Sequence, residues 1–253
     1  FSAGVAGAAV ATILAQTISW LLGVCYINRV YRQFPIRPWK GDFDGKMLRS
    51  VISIGLPAGI QTATVSLGGV AVMAKVNTFG NSYSAGYSVG LKIEDMVFLP
   101  IQSCSNAATA IVGQNVGAGR DDRVRQTAKC VVSVCLIWCA ASVAVIYPNR
   151  SLLIGLFTRT QETIACGSLF VGCVLPAYFL LAVLFSLNSV MRGAGESVVP
   201  MLVAIIGMIF LRIPAVYLLA DWLGPEYMFY GFGIGWSVGV VDRKSTRLNS
   251  SHQ

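Results

Sequence analysis

Long apolar stretches separated by short polar segments dominate the chain. They run from Val5 to Tyr26, Val51 to Val76, Tyr87 to Val116, Cys130 to Tyr147, Ile164 to Met191, Val198 to Ala220 and, shorter, Tyr227 to Val241. A helix that crosses hydrocarbon needs about 20 apolar residues, and every stretch but the last is near or above that length. Lipid offers no partner to a backbone amide, and the stretches are too long for barrel strands, so each is expected to be a helix. The expected fold class is all-α, a polytopic membrane helix bundle in a cell membrane.

Composition agrees with that pattern. Apolar residues make up 55% of the 253 positions and charged residues only 12%, about half the charged share of a soluble domain. Mean hydropathy is +0.67. Lys and Arg exceed Asp and Glu by 19 to 11, which in a soluble protein would suggest nucleic acid. Here the excess collects in loops and reads as a topology signal, so no nucleic-acid partner is expected. Alternate connections carry eleven basic residues, in Asn28 to Ser50, Gly117 to Lys129 and Arg192, against two on the other face, Arg150 and Arg159. The richer connections are therefore expected in the cytoplasm, with Phe1 on the outer side.

The two ends differ from the middle. A chain that opens at Phe1, without Met and inside an apolar stretch, is expected to be a fragment whose earlier spans are missing. Asp242 to Gln253 turns abruptly polar and resembles a translated adapter or vector sequence; it is expected to add nothing to the fold.

Catalytic and metal chemistry find little support. The seven cysteines all fall in apolar stretches, without the spaced pairs of an extracellular framework, and are expected to be free and buried. Cys135 and Cys139 stand one helical turn apart, yet the single histidine is His252 and no acid lies nearby. No metal site, no catalytic residue and no phosphate or dinucleotide motif is assigned.

Polar residues at membrane depth are the candidates for function. Lys92, Glu94 and Asp95 lie inside the third stretch, Glu94 roughly 10 Å from Tyr87 along a helix. Glu94, Phe98, Gln102 and Asn106 recur at every fourth position, with Ser105 and Thr109 beside them and Pro100 interrupting the row. Such a stripe should face a water-filled cavity or another helix. Two roles stay open: one carboxylate binds a coupling cation or cationic substrate, or Lys92 neutralises Glu94 or Asp95 in a structural pair. Gln61, Thr64 and Asn188 are uncharged and read singly as hydrogen-bonding contacts between helices. Arg212, mid-span and followed by Pro214, should find a carbonyl or carboxylate partner in a structural role. Tyr83, Tyr87, Trp222, Tyr227 and Tyr230 are expected as anchors at the outer interface.

Short motifs mark the stretch ends: Gly55-Leu56-Pro57-Ala58-Gly59-Ile60-Gln61, Asn77-Thr78-Phe79-Gly80, the VGQNVGAG string holding Gly113, Gln114, Asn115, Gly117 and Gly119 with DDR after it, and Met191-Arg192-Gly193-Ala194-Gly195-Glu196-Ser197. Glycines of this kind close helices and allow backbones to approach. In order and spacing these motifs resemble the multidrug and toxic compound extrusion (MATE) family over roughly Val5 to Val241.

The resemblance implies a two-lobed transporter of which this chain holds roughly the sixth to twelfth helices. Residues 1–26 would be the last helix of a largely missing amino-terminal lobe, 27–50 a cytoplasmic linker with Pro35 and Pro38, 51–241 the helix bundle of the carboxy-terminal lobe, and 242–253 the non-native tail. It further implies export of small organic, cationic or amphiphilic compounds in exchange for Na+ or H+ by alternating access, with no cofactor besides that ion. Some family members place an acid about where Val65 stands, which leaves a carboxylate site on that helix in doubt here. The rivals are a lipid-linked oligosaccharide flippase of related fold, using Lys75, Lys92 and Arg212, and a non-transporting membrane scaffold. The VGQNVGAG string argues against the flippase.

Overall fold

The computed structural model describes residues 4–30 and 44–237, and no strand occurs among them. Most of the expected linker, including Pro35 and Pro38, and the expected tail 242–253 lie outside the described residues. The chain divides into two units, Phe1–Leu48 and Arg49–Gln253. The first carries helix α1, Gly4–Val30, and the opening turn of α2, Gly45–Asn77. The second holds the rest of α2, then α3 Asn81–Gly117, α4 Asp121–Gly155, α5 Gln161–Gly193, α6 Val198–Ile205, a π-helical turn Ile206–Arg212 and α7 Ile213–Trp222. A 3-10 turn, Met228–Tyr230, leads into a last helical stretch, 231–237.

Six spans are long and apolar enough to cross a membrane, α6 to α7 counting as one. Several outrun their apolar stretches. The α4 helix starts at Asp121, well before Cys130, because charged side chains do not stop a helix and Asp121 and Asp122 in its first turn suit the positive end of the helix dipole. Polarity sets where a span leaves lipid, whereas caps set where the helix ends. Pro57, Pro100, Pro148 and Pro176 all lie inside unbroken helices. Pro100 therefore does not end α3.

Two motif glycines close α3 and α5 in the same way. At Gly119, φ 66°, the Arg120 amide donates to Asn115 O at 2.9 Å and the Gly119 amide to Val116 O at 3.0 Å. At Gly195, φ 87°, the Glu196 amide donates to Met191 O at 2.9 Å and the Gly195 amide to Arg192 O at 3.0 Å. These paired bonds satisfy carbonyls that the helix end would strand, and they need a left-handed residue. Past the second cap, the Glu196 carboxylate accepts from the Val198 amide at 3.0 Å and opens α6.

The α3 and α5 helices run parallel and touch backbone to backbone. A Cβ on Gly86 would meet Thr163 O at 2.7 Å, and one on Gly193 would meet Thr109 O at 2.6 Å. Between these points the Thr109 hydroxyl lies 3.2 Å from Ser189 O. Small residues serve this purpose in lipid, where contact between helices rests on close packing. By contrast α2 buries one narrow row, Thr64, Gly68, Val72 and Val76. The stretch 231–237 repeats the small-residue device: Gly231 and Gly235 bring it against Val216 and Gly207, and so hold Phe232 and Trp236 beside the π turn.

Candidate functional site

The second unit encloses a cavity of about 450 Å³. Its walls come from α2, α3, α5, α6, the π turn and the last helical stretch. Gln61 and Val65 stand on α2, Glu94 and Asp95 on α3, Asn188 on α5 and Arg212 at the end of the π turn. Leu91, Leu181 and Leu184 form apolar wall, and aromatic rings supply much of the remainder. Phe98 and Phe185 meet edge to face at 5.0 Å, and Tyr178 and Trp236 at 5.6 Å. Small binding sites combine an apolar lining with a few convergent polar groups in this manner.

Glu94 is held from the adjoining helix α5. The Tyr178 hydroxyl, on a residue only 1% exposed, donates to Glu94 Oε1 at 2.7 Å, while Oε2 is buried with no partner among the described residues. Lys92 is exposed and forms no ion pair with Glu94 or Asp95; the ion pair among the described residues joins Lys75 to Asp221. Residues two apart on a helix point away from each other, so Lys92 and Glu94 take different faces. The structure thus pairs Glu94 with a tyrosine and not with the expected lysine.

Arg212 also departs from expectation. It is 8% exposed, and its guanidinium carbon lies 3.4 Å from the Phe232 ring centre and 5.7 Å from that of Trp236. Its Nε has no hydrogen-bond partner among the described residues; aromatic faces cover the group, and the expected carboxylate, Glu94, attracts it without forming an ion pair. The π turn sets this position. Pro214, at the start of α7, has no amide to continue the ordinary ladder, and π turns recur where such a ladder is interrupted and at functional sites.

The polar stripe of α3 divides. Glu94 and Phe98 line the cavity, whereas Gln102 and Asn106 are exposed and do not. A strict every-fourth row drifts about 40° per step around a helix of 3.6 residues per turn, carrying Asn106 about 120° from Glu94. Ser105 is buried with its hydroxyl unpartnered among the described residues, and Thr109 joins α5. Of the motif residues, Gly113 and Gly193 lie at the α3–α5 contact, Gly119 and Gly195 form the two caps, and Gly117 has open space where a side chain would stand. Gln114 is exposed, Asn115 donates to Ile111 O at 2.8 Å, Pro57 is half-buried in α2, and Arg192 is half-buried with Nε unpartnered among the described residues.

Sequence reasoning missed Tyr178, Phe232 and Trp236. One signal existed for the first, because a tyrosine hydroxyl deep in an apolar stretch must find an acceptor. Tyr87, expected at the interface, is 2% exposed and packs against Phe170 at 4.9 Å and Phe229 at 5.9 Å, in the core. Trp222, Tyr227 and Tyr230 are exposed. All seven cysteines are free, but Cys25 and Cys130 are exposed where burial was expected. Among the described residues no cluster of His, Cys, Asp and Glu could hold a metal.

A sequence model of the MatE family matches residues 57–218, most of the second unit. The chain belongs to the MatE family. Its relatives include the probable multidrug resistance protein YpnP of Bacillus subtilis, 30% identical over 238 residues, 94% of this chain and 52% of that protein. A MATE crystal structure in the straight conformation superposes with a TM-score of 0.87 at 20% identity, over 99% of this chain and 57% of the other. The Vibrio cholerae MATE transporter VcmN in the bent form gives 0.80 at 21% identity, over 92% and 53%. The chain spans about half the length of the curated relatives it matches. With six spanning helices, this MatE family member is a multi-pass membrane protein.

Proposed function

We propose that the chain forms the carboxy-terminal part of a secondary efflux transporter, which exchanges small organic, cationic or amphiphilic compounds for Na+ or H+ by alternating access. The observation that carries this reading is Glu94. Its carboxylate is tethered through one oxygen to Tyr178, and its other oxygen is buried without a partner among the described residues, at the wall of an aromatic-lined cavity. A carboxylate so placed can take a proton, a sodium ion or a cationic group, and its residue lines the space where a drug-sized molecule fits. The reading assigns no bond-making step, so it needs no catalytic residue and no cofactor besides the coupling ion. Membership in the MatE family and its relatives' description as multidrug resistance proteins support the same activity. The flippase alternative would need Lys75, Lys92 and Arg212 to converge on a diphosphate, but Lys75 is paired with Asp221 and Lys92 is exposed outside the cavity.

The test places Glu94→Gln in the full-length transporter. Glutamine can still accept from Tyr178, so membrane abundance should stay near the parent's while efflux falls and loses its dependence on the coupling gradient. Imposing a sodium gradient or a pH gradient separately on proteoliposomes then distinguishes the two ions. Normal abundance with unchanged efflux at every pH would remove Glu94 from the mechanism. Low abundance would return it to a structural role.

A further inference from the structure

The cavity wall carries a positive group that a site for simple cations has no use for. Its charged lining is Glu94, Asp95 and Arg212, and Arg212 is an intramembrane cation, more than nine-tenths buried, that Glu94 attracts but that forms no ion pair among the described residues. One face of the guanidinium is covered by Phe232, yet its Nε finds no acceptor and the group donates no hydrogen bond among the described residues. A buried arginine in this state is costly, and the usual remedy is an anion that accepts two of its N–H groups side by side. Glu94 is the nearest candidate from within the chain. However, the two charges are held by different partners, Glu94 by Tyr178 on α5 and Arg212 by the rings of 231–237. Glu94 and Arg212 attract each other, and Tyr87 and Tyr178 each interact with both, which puts the two groups along the same part of the wall although they form no ion pair.

We propose that Arg212 is an anion-binding subsite of the cavity, taking a carboxylate or similar acidic group of the transported molecule while Glu94 and Asp95 face its cationic end. The preferred ligand is then a zwitterionic amphiphile with an aromatic body, in place of a plain cation. Three features of the lining serve such a molecule. Its acid meets the planar guanidinium that lines the cavity, its amine meets two carboxylates, and its ring system meets Phe98, Phe185 and Trp236. The π turn is what aims Arg212 inward, and the close contacts of Gly207 and Gly235 fix the turn against the last helix, so the subsite is built into the backbone. The proposal rests on the efflux reading for its ligand's being cargo, though binding can be tested apart from transport.

The probes are a rhodamine with a free benzoate, which is zwitterionic, and its methyl ester, which keeps the cation and loses the anion. Purified full-length transporter is titrated with each by fluorescence anisotropy, and export of each is followed in cells. The parent protein should bind the acid about tenfold more tightly than the ester. Arg212→Gln should abolish that preference by weakening the acid alone, and Arg212→Lys should restore part of it. Equal or tighter binding of the ester by the parent protein overturns the subsite, as does an equal loss of both dyes in Arg212→Gln. Should Arg212→Gln fail to fold, the parent's ratio and the lysine variant still decide. Export of the ester with no preference for the acid sinks the subsite and leaves efflux standing. Arg212-dependent binding with export of neither dye sinks efflux and leaves the subsite.

Discussion

Motif glycines that look alike in the sequence should differ sharply when each is replaced by alanine. At Gly193 a Cβ would sit 2.6 Å from Thr109 O, 2.7 Å from Val112 Cβ and 2.9 Å from Val112 Cγ1. The first two are helix backbone and a side-chain stem, which cannot swing aside, so α3 and α5 must separate along their whole contact. Overpacking of this kind costs about 1–3 kcal/mol, and widening the gap also endangers the Thr109 to Ser189 hydrogen bond, worth about 0.6 kcal/mol in lipid. The expected loss for Gly193→Ala is therefore about 2–3 kcal/mol. At Gly119 nothing stands within 4 Å, but φ is 66°, so Gly119→Ala should cost about 1–2 kcal/mol of backbone strain. Gly117 has neither obstacle, and Gly117→Ala should be neutral or stabilise by up to about 1 kcal/mol. The assay is thermal unfolding of the full-length protein in one detergent, read by loss of the monodisperse chromatographic peak. The order Gly117→Ala, then Gly119→Ala, then Gly193→Ala in falling stability is required. A Gly193→Ala protein as stable as Gly117→Ala would refute the backbone contact and with it the parallel α3–α5 packing.

Tyr178→Phe should leave Glu94 Oε1 buried without its donor, costing about 1–3 kcal/mol, and should alter efflux more than Phe98→Leu does when both are compared at equal abundance. Asp221→Asn should strand Lys75, whose side chain is 12% exposed against 58% for Asp221, at about 1 kcal/mol; the swap Lys75→Asp with Asp221→Lys should recover melting temperature, and no recovery would make the pair incidental. A cysteine placed at Asn81, at the start of α3, should react with an impermeant reagent supplied from outside; reaction only from the cytoplasmic side would invert the topology.

The spans were legible in the sequence because lipid leaves the backbone one choice: a stretch too apolar for water and too long for a strand must hydrogen-bond within itself as a helix. The caps at Gly119 and Gly195 were legible for a local reason too, since only a left-handed residue closes those bonds. Which side of each helix faces the cavity was not. In water a polar face marks the exterior, but helices that are apolar all round carry no such mark, and small shifts in packing decide what is buried. So Tyr87 enters the core although its position suited the interface, and Gln102 and Asn106 leave a stripe that Glu94 begins. The site itself joins residues far apart in the chain, Tyr178 to Glu94 and Phe232 to Arg212. Neither pairing has a local signal, because each depends on the glycine contacts that bring α3 to α5 and the last helical stretch to the π turn. The sequence by itself determined the presence of the helices, the caps at Gly119 and Gly195 and the charges placed among them; the tertiary structure alone decided which charge met which partner, because that depends on distances between helices that no single helix encodes.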